Sequence, residues 1–111
     1  MNTQSPKHGD DLGIQIGGKY GEIKPGATVT LLTKEVITIP KDAIGIVDVR
    51  EHWAKLGLCI TSQIIWSGYN GQFKLHLTNR GSSAIYIRDT DKLTHLAILQ
   101  AYKQQEIGAN A

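Results

Sequence analysis

A chain of 111 residues, 41% hydrophobic and 20% charged, has room for one domain with a modest core, and those proportions exclude a disordered or collagen-like chain. A formal net charge of +2, with 12 basic and 10 acidic side chains interspersed, gives neither the one-faced Lys/Arg cluster of a nucleic-acid footprint nor a basic helix for a membrane surface. The single cysteine, Cys59, excludes an internal disulfide framework and a multi-cysteine zinc site.

No apolar run approaches the roughly 20 residues that cross a bilayer. The polar N-terminus has no apolar signal-peptide core. With one cysteine, these features set the expectation of a cytoplasmic, reducing location without membrane or nucleic-acid partners. Twelve glycines, above the usual ~7%, separate short β-branched runs, as turns do in all-β domains. Residues 1–9 and 103–111 read as flexible tails, and 10–102 as the domain.

In chain order, the patterns predict strands over 12–16, over 27–32 after the turn Lys24-Pro25-Gly26, over 35–39 ending at Pro40, and over 45–49. Residues 51–56 lack strand alternation and are followed by Gly57, which predicts a short helix with a glycine cap. Further strands are predicted over 58–60, 63–66, 73–77, 84–87 and 93–101, with a turn at 88–91. Phe73, Leu75 and Leu77 fall on one face of their strand, Lys74 and His76 on the other. The reading is all-β, eight to ten strands with one short helix, barrel-like or jelly-roll-like.

Three segments carry a more specific pattern. Residues 29–40 end in TLLTKEVITIP and are followed by REHWAKLGL at 50–58; then come IWSGYNGQFKLHLTN at 65–79 and IYIRDTDKLTHLAI at 85–98. In this order they resemble the trimeric dUTPase and dCTP deaminase superfamily, nearer its deaminase branch. Its members have a strand ending at proline, an Arg-Ser-Ser-x-Ala-Arg-x-Gly helix and an Ile-Asp-x-Gly-Tyr/Phe-x-Gly hairpin. A strand ending in Asn and a Gly-x-x-Ile-x-Gln-Leu strand follow. The Asp11-Leu12 pair resembles the family's opening motif. The resemblance implies a distorted β-barrel, or β-clip, assembled as a homotrimer with a deoxynucleotide triphosphate in clefts between subunits.

Carried over position by position, the resemblance makes Arg50, Glu51, His52, Lys55, Trp66, Tyr69, Gly71, Gln72 and His95 the ligand-binding candidates, with His76 as the one catalytic candidate. The chemistry at these positions departs from the family. Glu51 and His52 replace serines that donate to phosphate, and two like charges 4 Å apart repel by about 1 kcal/mol even in water. Glu51 also suits the helix dipole or an ion pair with Arg50. Lys55 keeps a charge but loses the guanidinium fork. Trp66 replaces the aspartate that activates water in dUTPases, and an indole has only a donor. It fits either a packed core or interface position, or a stacking platform for a base.

His76 stands where deaminases place a proton-shuttling glutamate. It is suited to acid–base work by its chemistry but equally to a plain surface or interface position. His95 replaces the family glutamine. His52, His76 and His95 have no short metal-ligand spacing, and Cys59 reads as a small buried hydrophobe. The expected function is a non-catalytic trimer that senses or sequesters a small nucleotide-type ligand, without a cofactor. The alternatives are an active dUTPase- or deaminase-like hydrolase, for which Mg2+ would enter, and a ligand-free structural trimer.

Overall fold

The computed structural model describes residues 5–100. Twelve short strands and one helix are found among them: β1 (Asp11–Leu12), β2 (Ile14–Gln15), β3 (Tyr20–Ile23), β4 (Thr28–Thr33), β5 (Ile37–Thr38), β6 (Ala43–Val49), α1 (Glu51–Ala54), β7 (Leu58–Thr61), β8 (Ile64–Ile65), β9 (Asn70–Gly71), β10 (Lys74–Asn79), β11 (Ile85–Arg88) and β12 (Thr94–Gln100). Two four-stranded antiparallel sheets run in the orders β1-β12-β6-β8 and β2-β4-β10-β7, and the pairs β11-β3 and β5-β9 form two ribbons. No helix among the described residues is long and apolar enough to cross a membrane.

Alternation drives this closure. In β10, Leu75, Leu77 and Asn79 are buried while Lys74, His76 and Thr78 are not, as the period of two requires. Leu12, Val47 and Leu96 of the first sheet meet Ile14, Leu75 and Leu77 of the second in one cluster, which Ile23, Ile85 and Ile87 of the β3–β11 ribbon complete. Each such aliphatic side chain contributes about 1.5–3 kcal/mol when fully buried.

The strand predicted over 12–16 is divided at Gly13. Its amide donates to both carboxylate oxygens of Glu35 at 2.9 Å, and its carbonyl accepts from the Lys34 amide at 3.1 Å. The chain thereby steps from the first sheet, in β1, to the second, in β2. Strand β3 has no counterpart in the prediction, because Gly21 and Glu22 interrupt its apolar alternation. Only Ile37–Thr38 of the run predicted over 35–39 pairs as a strand.

Four residues of the expected tail 1–9 lie outside the described residues, as do positions 101 and 102 of the expected domain and all of 103–111. Beyond β1, residues 8–10 run along the stretch of β12 that β1 leaves unpaired, while Ser5 Oγ accepts from the Thr38 amide of β5 at 2.8 Å. The Gly9 amide donates to the Leu96 carbonyl at 2.6 Å, the Ile98 amide donates to His8 Nδ1 at 2.9 Å, and Pro6 is buried. Covering the unpaired stretch of a strand in this way removes a template for unwanted pairing.

Helix α1 ends where two chain segments cross. The helix ends at Ala54 with Lys55 as its cap, so Gly57, expected in that role, instead closes the turn that follows, with φ +102°, a conformation that favours glycine. A Cβ there would overlap the backbone of Gly81, and a Cβ on Gly81 would overlap the Leu56 carbonyl. The Arg80 amide donates to the Gly57 carbonyl at 2.8 Å. Beside the crossing, the buried Asn79 carboxamide donates to the Ile23 and Ser83 carbonyls at 2.9 and 2.8 Å and accepts from the Gly81 amide at 2.8 Å. One side chain thus satisfies three backbone groups that would otherwise lack partners.

Candidate functional site

The C-terminal end of β6 leads directly into α1, so Arg50, Glu51, His52 and Lys55 stand together at that end of the first sheet. The Arg50 amide donates to the Leu93 carbonyl at 2.8 Å, and Trp53 Nε1 donates to the Lys92 carbonyl at 3.0 Å. Both bonds fix α1 to the approach of β12. Arg50 is not paired with Glu51. Its Nη1 meets Asp11 Oδ2 at 3.2 Å, with both side chains partly exposed, while Glu51 pairs with Lys55 at 3.4 Å across one helical turn. The second pair is largely in solvent, where such contacts contribute little.

His95 belongs to the same end. In the register of the first sheet it lies between Asp11 on β1 and Asp48 on β6, a row of three side chains across the outward face. In the sequence, only the Asp11-Leu12 pair marks Asp11. Its role as the partner of Arg50 depends on β1–β12 pairing, which nothing local in the sequence encodes.

The hairpin from Trp66 to Gln72 stands at the other end of β6. Ser67 Oγ donates to the Ala43 carbonyl, and the Gly68 amide and Tyr69 carbonyl bond Ile39, each at 2.9 Å. Tyr69 is half-buried: its ring meets Phe73 edge-on at 5.9 Å, and its hydroxyl donates to the Gln72 carbonyl at 2.6 Å. Gln72 Nε2 donates to the Thr33 carbonyl at 3.0 Å and to Gln15 Oε1 at 3.1 Å, so its amide is engaged in holding the hairpin to β2 and β4. Gly71 pairs with Ile37. Trp66, by contrast, is 68% exposed; within one chain it is not the core residue that its size allowed.

His76 lies in neither group. It sits in the middle of the second sheet, with Thr30 and Thr61 as cross-strand neighbours, and its Nδ1 is 2.9 Å from Thr30 Oγ1. Among the described residues no carboxylate hydrogen-bonds its ring. Cys59, expected to be buried, is only half-buried, because it points to the outer side of β7. Among the described residues no three His, Cys, Asp or Glu side chains converge to hold a metal ion.

The two groups of candidates are therefore separated by the length of β6. Seven residues of strand, at ~3.3 Å each, place them roughly 20 Å apart, too far for one small ligand to touch both on a single copy.

A family model described as dCTP deaminase-like matches residues 12–101. The chain belongs to the dCTP deaminase-like family. The dCTP deaminase of Metallosphaera sedula is 29% identical over 87 residues, which are 78% of this chain and 50% of that protein. The Pol polyprotein of equine infectious anemia virus (strain Wyoming) is 32% identical over 95 residues, 85% of this chain and 8% of the polyprotein. The native dUTPase of that virus superposes with a TM-score of 0.71 at 25% identity, covering 90% of this chain and 97% of that chain. The chain thus spans about half the length of the deaminase and nearly all of the viral dUTPase structure. The relatives are nucleotide-metabolism enzymes, and the expected dUTPase-like barrel with one short helix is the fold found.

Proposed function

We propose that this member of the family binds a nucleotide in clefts between copies of the chain and does not turn it over. The observation that carries the reading is Trp66. At the position of the water-activating acid in the dUTPase branch stands an exposed indole, and the hairpin from Trp66 to Gln72 contains no carboxylate or histidine. An indole cannot take a proton from water, whereas its open face can stack on a base. Arg50, Lys55 and His95 supply cationic or donor groups at the other end, with Glu51 tempering any triphosphate grip.

Self-association is part of this reading, with a homotrimer as the expected form. The outward side of the first sheet brings Ile44 opposite Leu99, and Ile46 opposite both Ala97 and Ile64. Ile64 and Leu99 are exposed and the others half-exposed. A continuous apolar strip of this kind on one chain suits contact with a second copy. The separation of the two candidate groups supports the same conclusion, because one copy's Arg50 end must meet another copy's Trp66 end to form a cleft. A cytoplasmic location also belongs to the reading, supported by the lone Cys59.

The test is a melting-temperature screen with dUTP, dCTP and ribonucleotides, followed by chromatography of the nucleotides after boiling. Stabilisation with the nucleotide recovered unchanged is the expected result. A new product peak that is lost in His76→Ala would make the chain an enzyme using His76. Absence of both stabilisation and product would leave a structural assembly module.

The Arg50–Asp11 pair gives a graded prediction. A phosphate must draw Arg50 from Asp11, and an exposed pair is worth about 0.2–1 kcal/mol. Asp11→Asn should therefore tighten nucleotide binding by up to about fivefold, measured by calorimetry. A weaker complex would show that Asp11 helps to hold the ligand.

A further inference from the structure

The β3–β11 ribbon turns Ile23, Ile85 and Ile87 to the core and Tyr20, Glu22, Tyr86 and Arg88 to the outside. Its register sets Tyr86 opposite Glu22 and Arg88 opposite Tyr20. The two tyrosines therefore lie on one diagonal of the outward face, and the two charged side chains on the other. Tyr20 and Tyr86 are 71% and 62% exposed. With Arg88 and Asp91 they line a recess of about 360 Å³, within the size range of small-molecule sites.

The frame of this recess is fixed by local bonds. The Tyr86 hydroxyl donates to Glu22 Oε2 at 3.2 Å. The adjacent negative charge of Glu22, together with that bond, holds the phenol above its usual range, so the ring stays neutral and a donor. The turn beyond β11 is closed in both directions: the Arg88 amide donates to Asp91 Oδ2 at 2.7 Å and the Asp91 amide to the Arg88 carbonyl at 3.0 Å. The Arg88 guanidinium makes no ion pair among the described residues.

We infer that this recess takes a nucleobase, stacked between Tyr20 and Tyr86. Diagonal positions of an antiparallel pair are about 7–8 Å apart. That is twice the carbon–carbon contact distance of about 3.5–4.0 Å, the width a planar ring needs between two others. The rim offers a strong donor in Arg88 beside acceptors in Asp91 and Glu22, which complements the mixed acceptor and donor edge of a base. One positive charge against two negative ones leaves the rim slightly acidic, so the site favours the neutral ring over a polyphosphate. The inference does not rest on the reading of the inter-copy cleft.

The test uses the full chain, isotope-labelled, titrated with guanosine and cytidine, which lack phosphate. Saturable shifts of the Gly21 and Tyr86 to Arg88 amides are expected, and they persist in Trp66→Ala protein. Tyr20→Ala and Tyr86→Ala should each weaken the response about tenfold, the loss of one stacking partner. Retained spectral dispersion verifies their folding. Arg88→Gln should weaken both nucleosides, since guanine (O6 and N7) and cytosine (O2 and N3) each offer the guanidinium two adjacent acceptors. A six-nucleotide single strand separates the sources: tighter binding than the nucleoside assigns the site to a strand, and equal binding to a free base. Silence of the ribbon amides with both nucleosides, or shifts unchanged in both tyrosine variants, would overturn the inference. A response to a proline-rich peptide alone would overturn it too and assign the ribbon to a protein partner.

Discussion

Gly57→Ala is expected to lower stability by about 3–5 kcal/mol, the range of the most damaging single substitutions. Its φ of +102° already costs a non-glycine residue about 1–2 kcal/mol. The new methyl would also meet the backbone of Gly81, which no rotamer change can move aside. Relief requires the chains to separate, and separation strains the Arg80–Gly57 hydrogen bond and the three bonds of the Asn79 carboxamide. Against a typical total of 5–15 kcal/mol, the variant should melt more than about 12 °C below the parent at matched protein concentration. Gly81→Ala strikes the same contact from the other side, against the Leu56 carbonyl, but without the cost of a positive φ, so it should lower the melting temperature by less. Melting within about 2 °C of the parent would show that the crossing yields easily.

Trp66→Ala is expected to leave the unliganded chain's melting temperature almost unchanged and to weaken nucleotide binding by about tenfold to a hundredfold. The indole is 68% exposed, so its removal takes little from the core. One stacked base is worth about 1–3 kcal/mol, which is that range of affinity. Trp66→Phe should recover most of the loss, because a phenyl face still stacks. Sedimentation separates the two roles of an exposed aromatic. If Trp66→Ala dissociates the assembly, the indole is an interface anchor; if the assembly stays intact and affinity falls, it is a ligand platform.

The sequence was most legible where one local rule governed the outcome. Alternation at Leu75 and Leu77 named the buried face of β10, the loss of alternation after Arg50 marked α1 although the helix stops at Ala54 before the expected Gly57, and the 88–91 turn was readable from its polar run. Gly13 was opaque, because a strand that changes sheets looks like one strand until its carboxylate partner, Glu35, is known. The same holds for β3, whose glycine and glutamate hide a strand made by pairing with β11. At the candidate site, side-chain identity announced the departures at Glu51, His52, Trp66 and His76. It did not announce that Arg50 would pair with Asp11 and not with Glu51, since that contact spans the chain and exists only after β1 joins β12. Nor did it show that the Gln72 amide would be spent on Gln15 and Thr33.

The position of the two candidate groups at opposite ends of β6 has a consequence for how such a protein responds. On the cleft reading, a solitary copy carries two half-sites and no whole one. Occupancy then depends on the chain's own concentration as well as the ligand's: on dilution the capacity to bind disappears before any copy unfolds. Ligand in turn draws copies together. The chain would count itself and its nucleotide in the same equilibrium.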